Sequence, residues 1–332
     1  MNVFSPLRSC CALVLAASVV GSARPALPQT PMPVTIGLTT RSATDWGLEV
    51  AQKLGFFAAN GVSVEAIVVG SSAGVAQQLA AGSIDIGSVS TTQVVEAILG
   101  GAPIVEMFKN VTTTPYTIVG RKGVTAMAQL RGKTIMIGGP NDITRVFMDK
   151  IMASYGFKPD DYTYTYAGAP AERYAALLNG GIDATLLLPP VTFRAIDEGF
   201  PVLDEVPKYF PHFPTSGYAV QPAWAKSHRD ALLGFLRGFQ QGVRWIYNPA
   251  NKTRAMQILQ EADNVTAAVA AKTYEVYITR GRLLPPSGRF DPDDFAQVVD
   301  TLVKTKQIPA PAPPANRFYD NSYIDAAMAG LR

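Results

Sequence analysis

Short runs of apolar and β-branched residues alternate with segments of helical period through the first 190 positions. Val34–Leu38, Val62–Val69, Ile84–Val89, Ile104–Phe108 and Tyr116–Gly120 read as strands. Between them, Trp46, Val50 and Leu54 share a helical face, and helices are expected from Ser72 to Ala81 and from Gln93 to Leu99. Ser42-x-x-Asp45 and Ser90-x-x-Gln93 have the spacing of capping boxes that would open two of these helices. The alternation resumes with strands Thr134–Ile137, Tyr162–Tyr166 and Ala184–Leu188 around helices Ile143–Tyr155 and Ala171–Asn179. Such an order predicts parallel sheets joined by right-handed crossovers. After Pro214 the pattern turns almost wholly helical. Leu232, Leu236, Phe239, Val243 and Ile246 mark one long amphipathic helix, with shorter ones over 252–261, 265–280, 292–305 and Tyr323–Gly330. The last of these is expected to pack on the first lobe.

The two alternating stretches echo one another. Gly70, Ala73, Leu79, Gly82, Ile84 and Asp85 return as Gly168, Ala171, Leu177, Gly180, Ile182 and Asp183, each 98 residues on. A strand–helix–strand unit built twice predicts two lobes with a cleft between them. The lobes are expected to hold 34–118 with 215–332, and 119–214. The repeated aspartates invite a reading as paired catalytic carboxylates, but each follows a Gly-x-Ile turn into a strand, so a turn or cap role is expected.

Composition narrows the function. The chain has 332 residues, 48% of them hydrophobic, and a formal charge of +3 with no run of Lys and Arg. That is enough for a large core and no footprint for nucleic acid. Near the start, Arg8 precedes an apolar stretch from Cys10 to Val20 and small residues at 21–23. This reads as an export signal over 1–23, cleaved near Ala23, too short to span a bilayer. Both cysteines, Cys10 and Cys11, fall inside it, so the mature chain would have no disulfide, thiolate nucleophile or cysteine metal ligand. His212 and His228 have no partner at metal spacing, and neither a nucleophile elbow nor a phosphate loop occurs. No catalytic residue, metal or cofactor is expected.

What remains is a set of strand-to-helix junctions. Thr39–Ser42, Gly70–Ser72, Ser88–Thr92 and Gly139–Thr144 each place hydroxyls or a small acid at a helix N-terminus. In α/β sheets such junctions gather at the carboxyl ends of the strands, and free backbone N–H groups there favour anions. Arg41 and Arg145 beside two of them could fork onto a carboxylate or sulfonate, or form surface ion pairs. The hydroxyls could equally be ordinary caps, and Trp46, Phe108, Tyr116 and Tyr218 either cleft walls or core.

Leu54-Gly55-Phe56-Phe57 followed by Gly61-Val62, then Leu79 to Gly87 (LAAGSIDIG), Leu130 to Ile135 (LRGKTI), Gly156 to Asp161 (GFKPDD) and Ala176 to Pro189 occur in a telling order. Over about residues 34–260 the chain resembles the periplasmic substrate-binding proteins of ABC importers. The branch is the one that handles taurine, aliphatic sulfonates, nitrate and thiamine-precursor pyrimidines. The resemblance implies an α/β, two-lobed, venus-flytrap (type II) fold with the second lobe inserted in the first. It also implies a periplasmic, monomeric protein that closes on a small molecule and delivers it to a membrane permease. Carried onto this chain, the ligand contacts would be Arg41, Ser42, Ser71, Ser72, Ser90, Thr91, Asn110, Asn141, Asp142, Thr144, Leu188 and Pro189. The chain lacks the Trp-Asp pair that some sulfonate binders have near Leu188. A small organic anion is the first expectation for the ligand, and a pyrimidine-like heterocycle the second. The same architecture would also serve a sensor for a signalling receptor, or an enzyme of the same fold. The enzymes of related fold use Cys, or His with Cys, which a cysteine-free mature chain would not supply.

Overall fold

Each copy of the duplicated pattern builds a strand–helix–strand unit in a sheet of its own. The computed structural model describes residues 1–3, 30–113, 115–211, 213–329 and 331. The expected leader, with Cys10 and Cys11, lies outside the described residues apart from its first three, as does His212. Residues 31–332 form one body.

The first sheet has the order β2-β1-β3-β10-β4, from Met32–Leu38 (β1), Val62–Val68 (β2), Ile86–Ser90 (β3), Val105–Lys109 (β4) and Ser216–Val220 (β10). The second has the order β7-β6-β8-β5-β9, from Thr117–Gly120 (β5), Thr134–Ile137 (β6), Thr163–Tyr166 (β7), Ala184–Leu187 (β8) and Val202–Glu205 (β9). The order is the same in both, which is what a duplicated unit should produce. The chain passes from first sheet to second through residues 110–116 and returns through 206–215. The architecture is α/β, two mixed sheets with helices, in keeping with the fold expected of a periplasmic binding protein.

Two expectations are corrected. The sheets are mixed, because β10 runs antiparallel to both β3 and β4, and β5 antiparallel to β8 and β9. In addition, β9 and β10 fall where the sequence pattern predicted none. β10 (SGYAV) follows Pro214 and is nearly buried throughout, so it shows no alternation to detect. The fifth strand, starting at Thr117, belongs entirely to the second sheet.

The repeat does its structural work at matching places. Gly82, at φ +75°, and Gly180, at φ +70°, each turn the chain after a helix, Ser72–Ala81 and Pro170–Leu178. Asp85 then accepts a hydrogen bond from Thr35 N at 2.8 Å, and Asp183 one from Thr134 N at 3.0 Å. Each aspartate thus pins the strand entering beside it, a turn role and not a catalytic one. Asp183 also pairs with Arg121 at 2.9 Å.

The long helix Arg229–Tyr247 crosses the first sheet with Leu232, Phe235, Leu236, Phe239, Val243 and Ile246 buried. Its glycines 234, 238 and 242 form a second feature of that face. The predicted helix over 265–280 is an α-helix from Ala267 to Tyr274 that continues as a π-helical segment, Glu275–Arg280. The terminal helix Ser322–Ala329 packs on β4 and on the long helix. By contrast, the helix Pro292–Lys304 joins an apolar cluster that also holds Phe147 from the second layer and Phe210 and Phe213 from the return segment. Among the described residues no helix is long and apolar enough to cross a membrane.

Candidate functional site

The carboxyl ends of β1, β3 and β8, the return segment at Thr215 and the loop after β6 converge on one cavity of about 70 Å³. Its first-sheet side carries Thr39, Thr40, Ser42, Thr44 and Asp45, with Ser72, Ser88 and Ser90 from neighbouring junctions. Tyr116, Asp142, Gly168, Pro170 and Leu188 supply the opposite wall, and Thr215 and Ser216 close the hinge end.

Of the residues predicted to contact ligand, Ser42, Ser72, Ser90, Asp142 and Leu188 line this cavity. The other seven are placed elsewhere. Arg41 is exposed and pairs with Glu49. Ser71 is the true cap of helix Ser72–Ala81, accepting from Gly74 N at 3.1 Å. Thr91 is fully buried and donates to Glu106 Oε1 at 3.1 Å. Asn110 sits at the outgoing crossing, where its amide donates to Asp45 Oδ1 at 3.2 Å and its Oδ1 accepts from Ser216 Oγ at 2.8 Å. Asn141 is exposed. Pro189 borders a separate hollow with Thr117 and Thr192.

Thr144 is an internal brace. Its hydroxyl donates to Asp142 Oδ1 at 2.5 Å and accepts from Gly138 N at 2.7 Å, and the residue has no exposed surface. Thr144→Ala should therefore lower stability by about 1–3 kcal/mol, since it leaves Gly138 N unpaired in the interior. Affinity for solute should change less than the urea midpoint does.

Neither predicted capping box forms. Ser42 and Ser90 make no side-chain cap bond. Ser42 Oγ instead meets Thr44 Oγ1 at 2.6 Å, and Ser90 N donates to Ser72 Oγ at 3.1 Å. Arg145, the second candidate anion clamp, is tied to Asp149 at 2.7 Å and lies over the Tyr164 ring. Trp46, Phe108 and Tyr218 are core residues. Tyr218 stacks on Phe108 at 4.8 Å, and only its hydroxyl reaches the site.

Asp45 is the residue that sequence reasoning misassigned. It is 3% exposed, and its Oδ1 accepts from Tyr218 Oη at 2.7 Å, Ser88 Oγ at 3.0 Å and the Asn110 amide. Burial pushes its carboxyl from 3.8 up to about 6, with the bonds from Tyr218 and Ser88 pulling the other way. Between about pH 4 and 6 the folded protein keeps a proton that the unfolded chain has released. Stability contributed by this group is therefore lost as pH rises through that window. Asp45→Asn keeps an acceptor oxygen and removes the charge, so it should gain on the order of 1–3 kcal/mol over wild type at pH 7.5 and almost nothing at pH 4. Urea melts of both proteins at the two pH values check this.

A second acid faces the cavity from across the layers. Asp142 caps the helix Ile143–Ser154 through Thr144 N at 2.9 Å. It confronts Glu96, whose carboxyl is raised to about 7 by burial first and by the Asp142 charge second. The cavity thus carries two carboxylates, many hydroxyls and, among the described lining residues, no cationic side chain. Three or more metal-ligating side chains do not come together anywhere among the described residues.

Comparison with known proteins bears on the family and the fold. Among curated proteins, the chain is similar to the 4-amino-5-hydroxymethyl-2-methylpyrimidine phosphate synthase THI13 of Saccharomyces cerevisiae, 27% identical over 139 residues. The match covers 41% of this chain and 39% of that protein, about two fifths of the relative's length. Among solved structures, the periplasmic nitrate-binding protein NrtA of Synechocystis PCC 6803 aligns with a TM-score of 0.76 at 14% identity, over 91% of this chain and 89% of that one. A ligand-binding component of an ABC-type import system from Staphylococcus aureus gives 0.75 at 14%, over 89% and 99%. The desulfurization enzyme DSZB gives 0.65 at 11%, over 91% and 100%. At these identities the structural likeness is one of fold. Residues 45–252, well over half of the chain, match the NMT1/THI5 like family, and the protein belongs to that family.

Proposed function

We propose that this is an exported solute-binding protein, which captures a small polar molecule between two lobes and passes it to a membrane import complex. The observation that carries this reading is the convergence of both layers on one small cavity lined by hydrogen-bonding groups already tied to one another. Asp45 has Tyr218, Ser88 and Asn110 as donors, and Asp142 is engaged as a cap, so neither is poised as a base beside a nucleophile. The neighbours that serve import systems support the same reading, as does the leader pattern in the sequence. The lobes of this proposal are the two sheets with their helices, hinged at 110–116 and 206–215.

The cavity's electrostatics favour the second expected ligand class over the first. The anion expectation leaned on Arg41 and Arg145, which form ion pairs outside the cavity. It leaned also on helix N-termini, two of which are capped by Ser71 and Asp142. Adding an anion beside Asp142 and Asp45 would gather like charges in a partly dry space. A neutral heterocycle bearing N–H donors meets no such penalty and finds acceptors in Asp45 and the serine hydroxyls. The enzyme reading rests on the partial sequence match to a pyrimidine phosphate synthase and on the shared fold of the desulfurization enzyme DSZB.

The test is a thermal-shift comparison of the full chain with 4-aminopyrimidine and with benzenesulfonate. Solute at 100 times its dissociation constant adds about 2.7 kcal/mol of stability. Stabilisation by the aminopyrimidine and not by the sulfonate is expected. The reverse order would overturn the ligand class, and a chemically altered solute recovered after incubation would overturn the binding-only reading.

A further inference from the structure

The cavity is too small for the ring that a heterocyclic solute carries. It has about 70 Å³. That is the share of roughly two water molecules, at about 30 Å³ each, whereas an apolar cavity of about 150 Å³ is one that takes benzene. A larger space lies beside it. The hollow that Pro189 borders has about 200 Å³ and is lined chiefly by apolar groups, among them Phe193, Ile196, Val202, Pro207 and Val276. Among the described residues its one charged lining group is Glu205, which is exposed. The hollow has room for one six-membered ring.

The two spaces share a wall. Pro115 and Tyr116 line both of them. Just past β8, Leu188 lines the cavity and the next residue, Pro189, lines the hollow. Both layers build the hollow, as they build the cavity. Phe193 and Ile196 stand on the helix Val191–Asp197 and Val202 on β9, all in the second layer. Val276 comes from the π-helical segment Glu275–Arg280, which packs with the core of the first. Segments of that kind recur at functional sites. Lys272, three residues before it, pairs with Asp197 and ties the two layers together at this edge.

We propose that the captured solute has two parts, a compact neutral head with N–H donors in the cavity and an uncharged aromatic ring in the hollow beyond Tyr116. This rests on the solute-binding function proposed above and narrows its ligand class. The head meets the acceptors of the cavity. The ring leaves water for an apolar space of its own size, which the cavity does not offer. An ordinary surface hollow, unrelated to capture, would give a ring-bearing solute no advantage over the head alone.

Ligand-observed NMR titrations of the full chain with acetamide, benzamide and 4-aminopyrimidine test this. The wild type should bind benzamide and 4-aminopyrimidine at least tenfold more tightly than acetamide, which is a head without a ring. Val276→Trp and Ile196→Trp fill the hollow from opposite layers, and neither residue lines the cavity. Each should remove the tenfold advantage while acetamide binds as it does to wild type, which also shows that the variant is folded. Nuclear Overhauser effects from the bound benzamide ring to the Val276 and Ile196 methyl groups are expected in the wild type and need no variant. Their absence, or a ring preference that survives both filled variants, overturns the assignment. If the wild type binds acetamide and benzamide equally, only this inference fails. If it binds none of the three, the neutral-solute reading above fails with it.

Discussion

Gly168→Ala should leave the protein folded and weaken the proposed solute capture at least tenfold, about 1.4 kcal/mol. Gly168 stands between β7 and its helix in the second layer, and Gly70 and Ser71 occupy the matching place in the first. A Cβ at 168 would sit 2.4 Å from Gly70 O, 2.9 Å from Ser71 Cβ and 3.2 Å from Ser71 Cα. The obstruction is backbone, which cannot rotate aside as a side chain can. The layers would have to part by about an ångström at the cavity rim, diluting the binding-competent state. None of these three residues is fully buried, so the urea midpoint should move little. Small-angle scattering should show a larger radius in the variant. Wild-type affinity together with a wild-type radius would mean that this contact is not required for capture. Gly70 and Gly168 are also members of the same repeat, so the duplicated unit meets its own copy at this point.

Gly242→Ala should cost about 2 kcal/mol of stability, and Gly242→Leu more than about 3 kcal/mol, measured by urea unfolding. A Cβ at 242 would lie 2.3 Å from Gly47 O and 3.2 Å from Ala51 N, so the helices Arg229–Tyr247 and Trp46–Lys53 meet backbone to backbone. Alanine regains up to about 1 kcal/mol of helix propensity over glycine, which softens the first figure without reversing it. Gly238→Ala is expected to be milder, because the atom it meets, at 2.6 Å, is the edge of the Phe57 ring. Equal effects at 238 and 242 would argue against backbone contact as the cause.

The features that periodicity could disclose were local ones. Strand–helix alternation, the 98-residue echo and the turn role of Asp85 and Asp183 are written within short windows, and a duplicated window is visible without any structure. Asp45 illustrates the opposite case. Three residues after Ser42 it looks like the end of a capping box, yet its hydrogen-bond partners Ser88, Asn110 and Tyr218 lie 43, 65 and 173 residues away. No local pattern encodes such a convergence. Arg41 and Arg145 misled for a related reason. Proximity to a junction in sequence says nothing about which side of the helix a long side chain takes, and an acid one or two turns along, Glu49 or Asp149, captured each. The glycine row at 234, 238 and 242 was overshadowed by the large apolar residues on the same helix.

β10 has a consequence for how the chain must be made. Ser216–Val220 lies between β3 and β4, so the first layer lacks a central member until synthesis has passed residue 220. By then the whole of the second layer has emerged, yet the early segments still hold β3 and β4 without a common neighbour. Pairing across more than about a hundred residues is slow, since the long loop must close before the contacts reward it. A chain that delays its own assembly in this way stays threadable for longer after it leaves the ribosome. If the chain is exported, as proposed above, that delay would favour crossing a membrane before folding.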